Sequence, residues 1–125
     1  MSEMKFTEDH VWVRLEDDGT ATIGITDYAQ EQLGDIVFVE FPPVEKELGM
    51  GDEAAIIESV KTAGEVKMPI SGTVIETNDS LVDEPEVINA DPEGDGWLMT
   101  VNIINPDELE TLMDDSAYNE FLSGI

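Results

Sequence analysis

Short apolar runs set close together constrain this chain more than any other feature. Val11–Leu15, Ala21–Ile25, Ile36–Phe41, Ala54–Ser59, Val66–Ile70 and Thr73–Thr77 each span five or six residues and are rich in Val and Ile. Runs of that length suit strands, whose branched side chains pack well on a pleated surface. The punctuation between them agrees. Asp17-Asp18-Gly19 supplies the turn of an opening hairpin, Pro42-Pro43 stops the run that begins at Ile36, and Gly49–Gly51 forms another turn. The polar stretch Thr62–Glu65 and the pair Ser71-Gly72 separate the later runs. Strands this short and this closely spaced predict a mainly β, or α+β, fold: a sandwich or flattened barrel.

Helical signals are local. Thr26 is suited to cap a short helix through Gln32, directly after the first hairpin, with Gly34 as its stop. The segment 78–96, rich in Asp, Glu, Pro and Asn, carries a helical turn near Leu81–Ile88, and Trp97–Ile104 returns to strand character. Asn105-Pro106-Asp107-Glu108 is a helix start, because Asn caps, Pro fits the first helical position and acids favour the positive end of the helix dipole. Leu109, Leu112 and Met113, then Tyr118, Phe121 and Leu122, give an apolar face, so one or two C-terminal helices should pack on the strands. The expected organisation is one domain over 1–125, with a β core at about 11–104 and a helical segment at about 106–122.

Thirty Asp and Glu stand against five Lys and Arg, a formal charge of −25. The apolar residues are too regularly patterned for disorder, so this is the surface of a folded acidic protein. Such a charge is repelled by nucleic acid and by anionic membranes, and neither is an expected partner. Few cations among many acids also suits a salt-loaded cytoplasm, where ions screen the self-repulsion. With no cysteine, the chain has neither disulfides nor thiolate chemistry of its own. The start, MSEMKFTEDH, reads as neither a secretory leader nor a transit peptide, and no run approaches the length of a membrane span. A cytoplasmic location is the expectation.

Against this acidity, the lysine in ESVKTAGEV, residues 58–66, stands out. Gly51 lies ten residues before Lys61 and Gly72 eleven after it, and each is read as flanking a strand of one hairpin with Lys61 at its tip. A tip lysine offers its amine to an enzyme that must enclose it, while the ladder pins the backbone beside it. By position alone, Lys61 reads as an ordinary solvated turn residue, and position does not overturn that.

The local sequence distinguishes these readings. Glu58-Ser59-Val60-Lys61 resembles the lipoyl attachment stretch of the glycine cleavage system H-protein family. Further matches follow in the same order: His10 and Trp12 to Arg14; Gly24 to Gln30; Leu33 to Glu40; Pro69 to Gly72; Asn89 with Asp91-Pro92; and Gly96 to Leu98. Together they cover essentially the whole chain. The resemblance implies a lipoyl/biotinyl-type flattened β-barrel or sandwich with lipoate in amide linkage to Lys61, where Glu58, Ser59 and Val60 serve recognition by the lipoate-attaching enzyme.

It also implies a carrier rather than an enzyme. In this family a glycine decarboxylase loads an aminomethyl group on the lipoyl arm, an aminomethyltransferase unloads it, and a dihydrolipoyl dehydrogenase reoxidises the dithiol. A carboxylate-lined cleft would hold the cationic loaded arm away from water. Glu65 is the first candidate there. Around His10 the chain reads Asp9-His10-Val11-Trp12, with Val11 where the family commonly has Glu, so Asp9 is the candidate replacement and His10 a further candidate contact of the arm. Two other readings share these residues: a lipoyl carrier for lipoate relay or sulfur transfer, and an unmodified acidic interaction module.

Three remaining signals carry less. Glu65-Val66-Lys67-Met68 partly resembles the attachment stretch of biotin carriers, but Lys67 falls within a strand. Asp91–Gly96 has the acid-and-glycine composition of a calcium loop, yet Asn102 stands where the bidentate Glu belongs, and a turn is the expectation. His10, the sole histidine, is expected to pack or hydrogen-bond near Trp12, with no metal or triad role.

Overall fold

The computed structural model describes residues 3–16 and 18–124. Its strands are β1 (Glu3–Phe6), β2 (Val11–Leu15), β3 (Thr20–Ile25), β4 (Ile36–Glu40), β5 (Glu47–Leu48), β6 (Glu53–Ser59), β7 (Ala63–Lys67), β8 (Gly72–Thr77) and β9 (Met99–Ile103). Helices α1 (Asp27–Leu33), α2 (Ser80–Asp83), α3 (Glu86–Ala90) and α4 (Asp115–Ser123) and a 3-10 helix (Pro106–Thr111) complete it. The strands form two antiparallel sheets, one of six in the order β1-β2-β3-β9-β8-β5 and one of three in the order β4-β6-β7. The two sheets do not close into a barrel, so the expected architecture takes its flattened-sandwich form.

Local chemistry explains the opening elements. Gly19 adopts φ 85° after Asp18, a conformation that suits glycine. The Asp18 side chain also accepts from the Thr20 N–H and hydroxyl. Asp17, the first residue of the predicted turn, lies outside the described residues. Thr26 caps α1 by accepting the Ala29 N–H at 3.2 Å, and Gly34 ends it at φ 81°. These boundaries match the sequence expectation to within a residue.

The six-stranded sheet is covered on both faces at β3. Every residue of β3 is buried: Ala21, Ile23 and Ile25 enter the inter-sheet core, which includes Val39, Ile57 and Ile88. On its other face Gly24 lies under the Trp12 ring, so close that a Cβ there would stand 2.5 Å from the ring. Trp12 is fully buried, and its indole N–H donates to the Pro92 carbonyl at 3.0 Å. Phe6, Trp12 and Tyr118 form a second buried cluster that docks α4 on β1.

Several expectations need correction. The strand read as Val66–Ile70 runs from Ala63 to Lys67 instead. Pairing of Glu58 with Ala63, Ile57 with Gly64 and Ile56 with Glu65 draws most of the polar stretch into the ladder, because side chains on the outer face can stay in water. The chain break shrinks to residues 60–62, and Pro69, which has no N–H to donate, stands beyond the strand. Gly72 opens β8 in the other sheet, so it does not flank the Lys61 hairpin. Strands β1 and β5 were not foreseen. The C-terminal segment is interrupted at Met113, which exchanges two backbone hydrogen bonds with Phe6. Asp91 anchors the turn after α3, accepting the N–H groups of Gly94, Asp95 and Gly96. Lys67 sits in β7 opposite Glu53, as expected. Among the described residues no helix is long and apolar enough to cross a membrane, and no His, Cys, Asp and Glu cluster is arranged to hold a metal.

Candidate functional site

Lys61 is exposed in the three-residue connection between β6 and β7. Ser59 builds that turn. Its hydroxyl oxygen accepts the N–H groups of Lys61 and Thr62, each at 3.2 Å, and the hydroxyl donates to the Thr62 carbonyl at 3.1 Å. A serine opening a turn satisfies backbone donors that the ladder leaves unpaired. Val60 is 66% exposed, an apolar side chain left to solvent directly beside the lysine. Glu58 points outward from β6 between Phe38 of β4 and Ala63 of β7.

The tip leans on the connection between α1 and β4. The Val60 N–H donates to the Asp35 carbonyl at 2.9 Å. Lys61 then lays its alkyl chain across Gly34, where a Cβ would stand 3.0 Å from the lysine Cε and 3.5 Å from Nζ. Gly34 therefore has two duties, ending α1 at positive φ and leaving room for the lysine. From sequence it was legible only as a helix stop.

Beside Gly34, Leu33 enters the wall of a cleft of about 210 Å³. Val11 and Ile57 are among the residues that line it, and Asp9, His10 and Glu65 each contribute to its rim. Val11 is buried, so the wall is apolar where a carboxylate was expected from the resemblance. The Glu65 carboxylate takes the outer face of β7, alternating with buried Val66. A hydrogen bond with the Glu53 carboxyl, and then that neighbour's charge, push the Glu65 carboxyl above its ordinary range, with Lys67 opposing. Asp9 is exposed.

His10 has a more structural setting. It occupies the left-handed region at φ 66° and stacks at a tilt against Tyr28, with ring centres 4.5 Å apart. Its Nδ1 lies 2.8 Å from the Tyr118 hydroxyl, which lies 2.8 Å from the Thr26 hydroxyl oxygen. Thr26 already accepts the Ala29 N–H, so its own proton can pass to Tyr118 and the Tyr118 proton to His10. That ordering needs a neutral imidazole. Burial accordingly lowers the His10 pKa, and the Asp9 charge only partly opposes it. His10 thus bonds to Tyr118 rather than to Trp12. Burial also raises the Tyr118 phenol.

Comparisons with known proteins agree with this geometry. Residues 4–125 match the family model of the glycine cleavage H-protein. The chain is 55% identical over 125 residues to the glycine cleavage system H protein of Rhodospirillum rubrum, covering 100% of this chain and 99% of that one. It is 51% identical over 121 residues to the Thermotoga maritima protein of the same name, covering 97% of each. The crystal structure of a glycine cleavage system H protein from Mycobacterium marinum superposes with a TM-score of 0.88 at 34% identity, over 98% of both chains. The chain belongs to the glycine cleavage H-protein family, and is a lipoyl carrier component of the glycine cleavage system rather than a catalyst.

Proposed function

We propose that Lys61 carries lipoate through an amide on Nζ, and that the chain shuttles an aminomethyl group between the glycine decarboxylase and the aminomethyltransferase before dihydrolipoyl dehydrogenase reoxidises it. The observation that carries this reading is the exposed lysine laid over Gly34, the neighbour in the chain of Leu33, which lines an apolar cleft. The fit is chemical as well as spatial: an acyl amide removes the lysine charge, and a neutral alkyl arm suits walls such as Val11, Leu33 and Ile57. When bound, lipoate would supply a dithiolane whose S–S bond is reduced as one sulfur takes the aminomethyl group, the arm staying tethered to Lys61 and ending as the dithiol once that group has been passed on.

The polypeptide's own part is to tether, present and shelter. Glu58, Ser59 and Val60 offer the lipoate-attaching enzyme an exposed acid, a fixed turn and an uncovered apolar side chain. Asp9 is the exposed carboxylate at the cleft suited to meet a cation, whereas the Glu65 carboxylate stands near Glu53 on the outer face of β7. Burial favours the neutral form of His10, the form that adds no competing positive charge. The surplus of acids further supports a salt-adapted cytoplasmic setting.

The test is peptide mass spectrometry on the chain isolated from its native cells. Lipoate on Lys61 and on no other lysine is expected, and a consistently bare Lys61 in cells that lipoylate other proteins would sink the reading. Glycine-dependent loading of the modified chain separates the cleavage role from lipoate relay or sulfur transfer, both of which predict no loading. For the habitat, the unfolding temperature should climb from millimolar to molar salt; a flat response rejects it.

A further inference from the structure

The shelf beneath Lys61 is held by one side chain from a distant part of the sequence. Asn89, on α3, accepts the Ile36 N–H at 2.8 Å and donates to the Gly34 carbonyl at 2.8 Å and to the Gln30 side-chain oxygen at 3.0 Å. Its amide therefore clamps both neighbours of Asp35. Asp35 is the residue whose carbonyl receives the Val60 N–H, and Gly34 is the residue under the lysine chain. Ile36 continues the clamp into the ladder by pairing with Ser59, which shapes the turn.

Asn89 is itself well anchored. The preceding residue, Ile88, is fully buried in the inter-sheet core. Three residues beyond Asn89, the Pro92 carbonyl receives the Trp12 indole N–H. An amide is the chemistry this position needs, because it must accept from one backbone N–H and donate to two oxygens at once. Aspartate would keep the acceptor and set a negative charge against the Gly34 carbonyl; leucine would leave the Ile36 N–H and the Gly34 carbonyl without this partner.

We propose that Asn89 is the positioning residue of the attachment site, fixing the Gly34–Ile36 shelf so that the Lys61 tip is presented to the lipoate-attaching enzyme in one conformation. The inference rests on Lys61 being the attachment residue. Its function is to lower the ordering cost that the enzyme meets on binding the tip.

Two readouts on the purified unmodified chain test it. By NMR, Asn89→Ala should speed amide exchange at Val60 and Ile36 by about tenfold or more, with Ile23 and Val101 amides in the scaffold unchanged. With a lipoate ligase, lipoate and ATP, the KM for the variant chain should rise by a similar factor while kcat is kept. Val101→Ala, which loosens the core away from the tip, should leave that KM unaltered. Wild-type exchange at Val60 together with a wild-type KM in Asn89→Ala would overturn the proposal, as would a Val101→Ala KM raised equally. Failure of the attachment reading is separately visible, since the ligase would then leave the wild-type chain itself bare at Lys61.

Discussion

The two sheets of this molecule use the same strand chemistry for opposite ends. In the six-stranded sheet β3 is buried at every position, because the core covers one face and the Trp12 region, with α4 beyond it, covers the other. In the three-stranded sheet β6 and β7 alternate between buried and exposed side chains, and Phe38 and Ile56 remain on the outer face at 41% and 38% exposure. The first is a scaffold that resists change. The second has one face in the core and one open to partners, and at its end stands Lys61. A carrier needs both, since a tip enclosed by successive enzymes must stay uncovered while its base stays rigid.

The largest effect expected from that contrast is in the scaffold. Trp12→Ala should cost about 3–5 kcal/mol in urea unfolding, because it empties a fully buried site and orphans the Pro92 carbonyl. A loss below about 1 kcal/mol would mean that this face of the sheet is far less committed than its burial suggests. Next comes the hydroxyl that joins α4 to the hairpin. Tyr118→Phe keeps the ring stacked on Phe6 at 4.6 Å but removes the bonds to His10 and Thr26, at a cost of about 1–2 kcal/mol.

His10 gives the comparison a pH dependence. Its pKa is lowered in the folded chain, so below the ordinary value the unfolded chain binds more protons, and the stability from neutral His10 is present above about pH 6.5 and lost as pH falls through the folded value. Asp9, Tyr28 and Tyr118 are the groups that face it. The gap in unfolding temperature between the wild type and His10→Asn, which tolerates the same backbone, should therefore be wider at pH 7.5 than at pH 5.5. A gap that widens on acidification would show that the sign is wrong. The smallest effect belongs to the open face: Ile56→Thr should change stability by no more than about 0.5 kcal/mol in the same urea experiment. A larger loss would reveal that the outer face is part of the fold's support.

The first third of the chain was readable because its signals are local. Val11–Leu15 and Thr20–Ile25 are short apolar runs around a turn, and Thr26 and Gly34 bound α1 with a hydroxyl cap and a positive-φ glycine. The later strands were harder. Ala63, Gly64 and Glu65 carry no strand signal of their own and join β7 only because β6 lies alongside to pair with them. Strand β5 is two residues long, held against β8, and β1 precedes the first strong apolar run. Periodicity cannot mark either.

Lys61 was conspicuous in a chain with five cations, and the resemblance of Glu58-Ser59-Val60-Lys61 and the motifs around it pointed to the family. Its support was not legible. Gly34, Asp35 and Asn89 lie 27, 26 and 28 residues from Lys61 in the chain, and nothing in their spacing shows that they share one shelf. By itself the sequence determined the short strands, the caps, the acidic surface and the candidate lysine, because each depends on residues within a few positions of one another. Tertiary structure alone decided where the polar stretch joins a ladder, that Glu65 stands near Glu53, that His10 bonds to Tyr118, and that Asn89 holds Gly34 and Ile36 beside the tip. Those are contacts between distant segments, fixed only when burial of the two sheets brings them together.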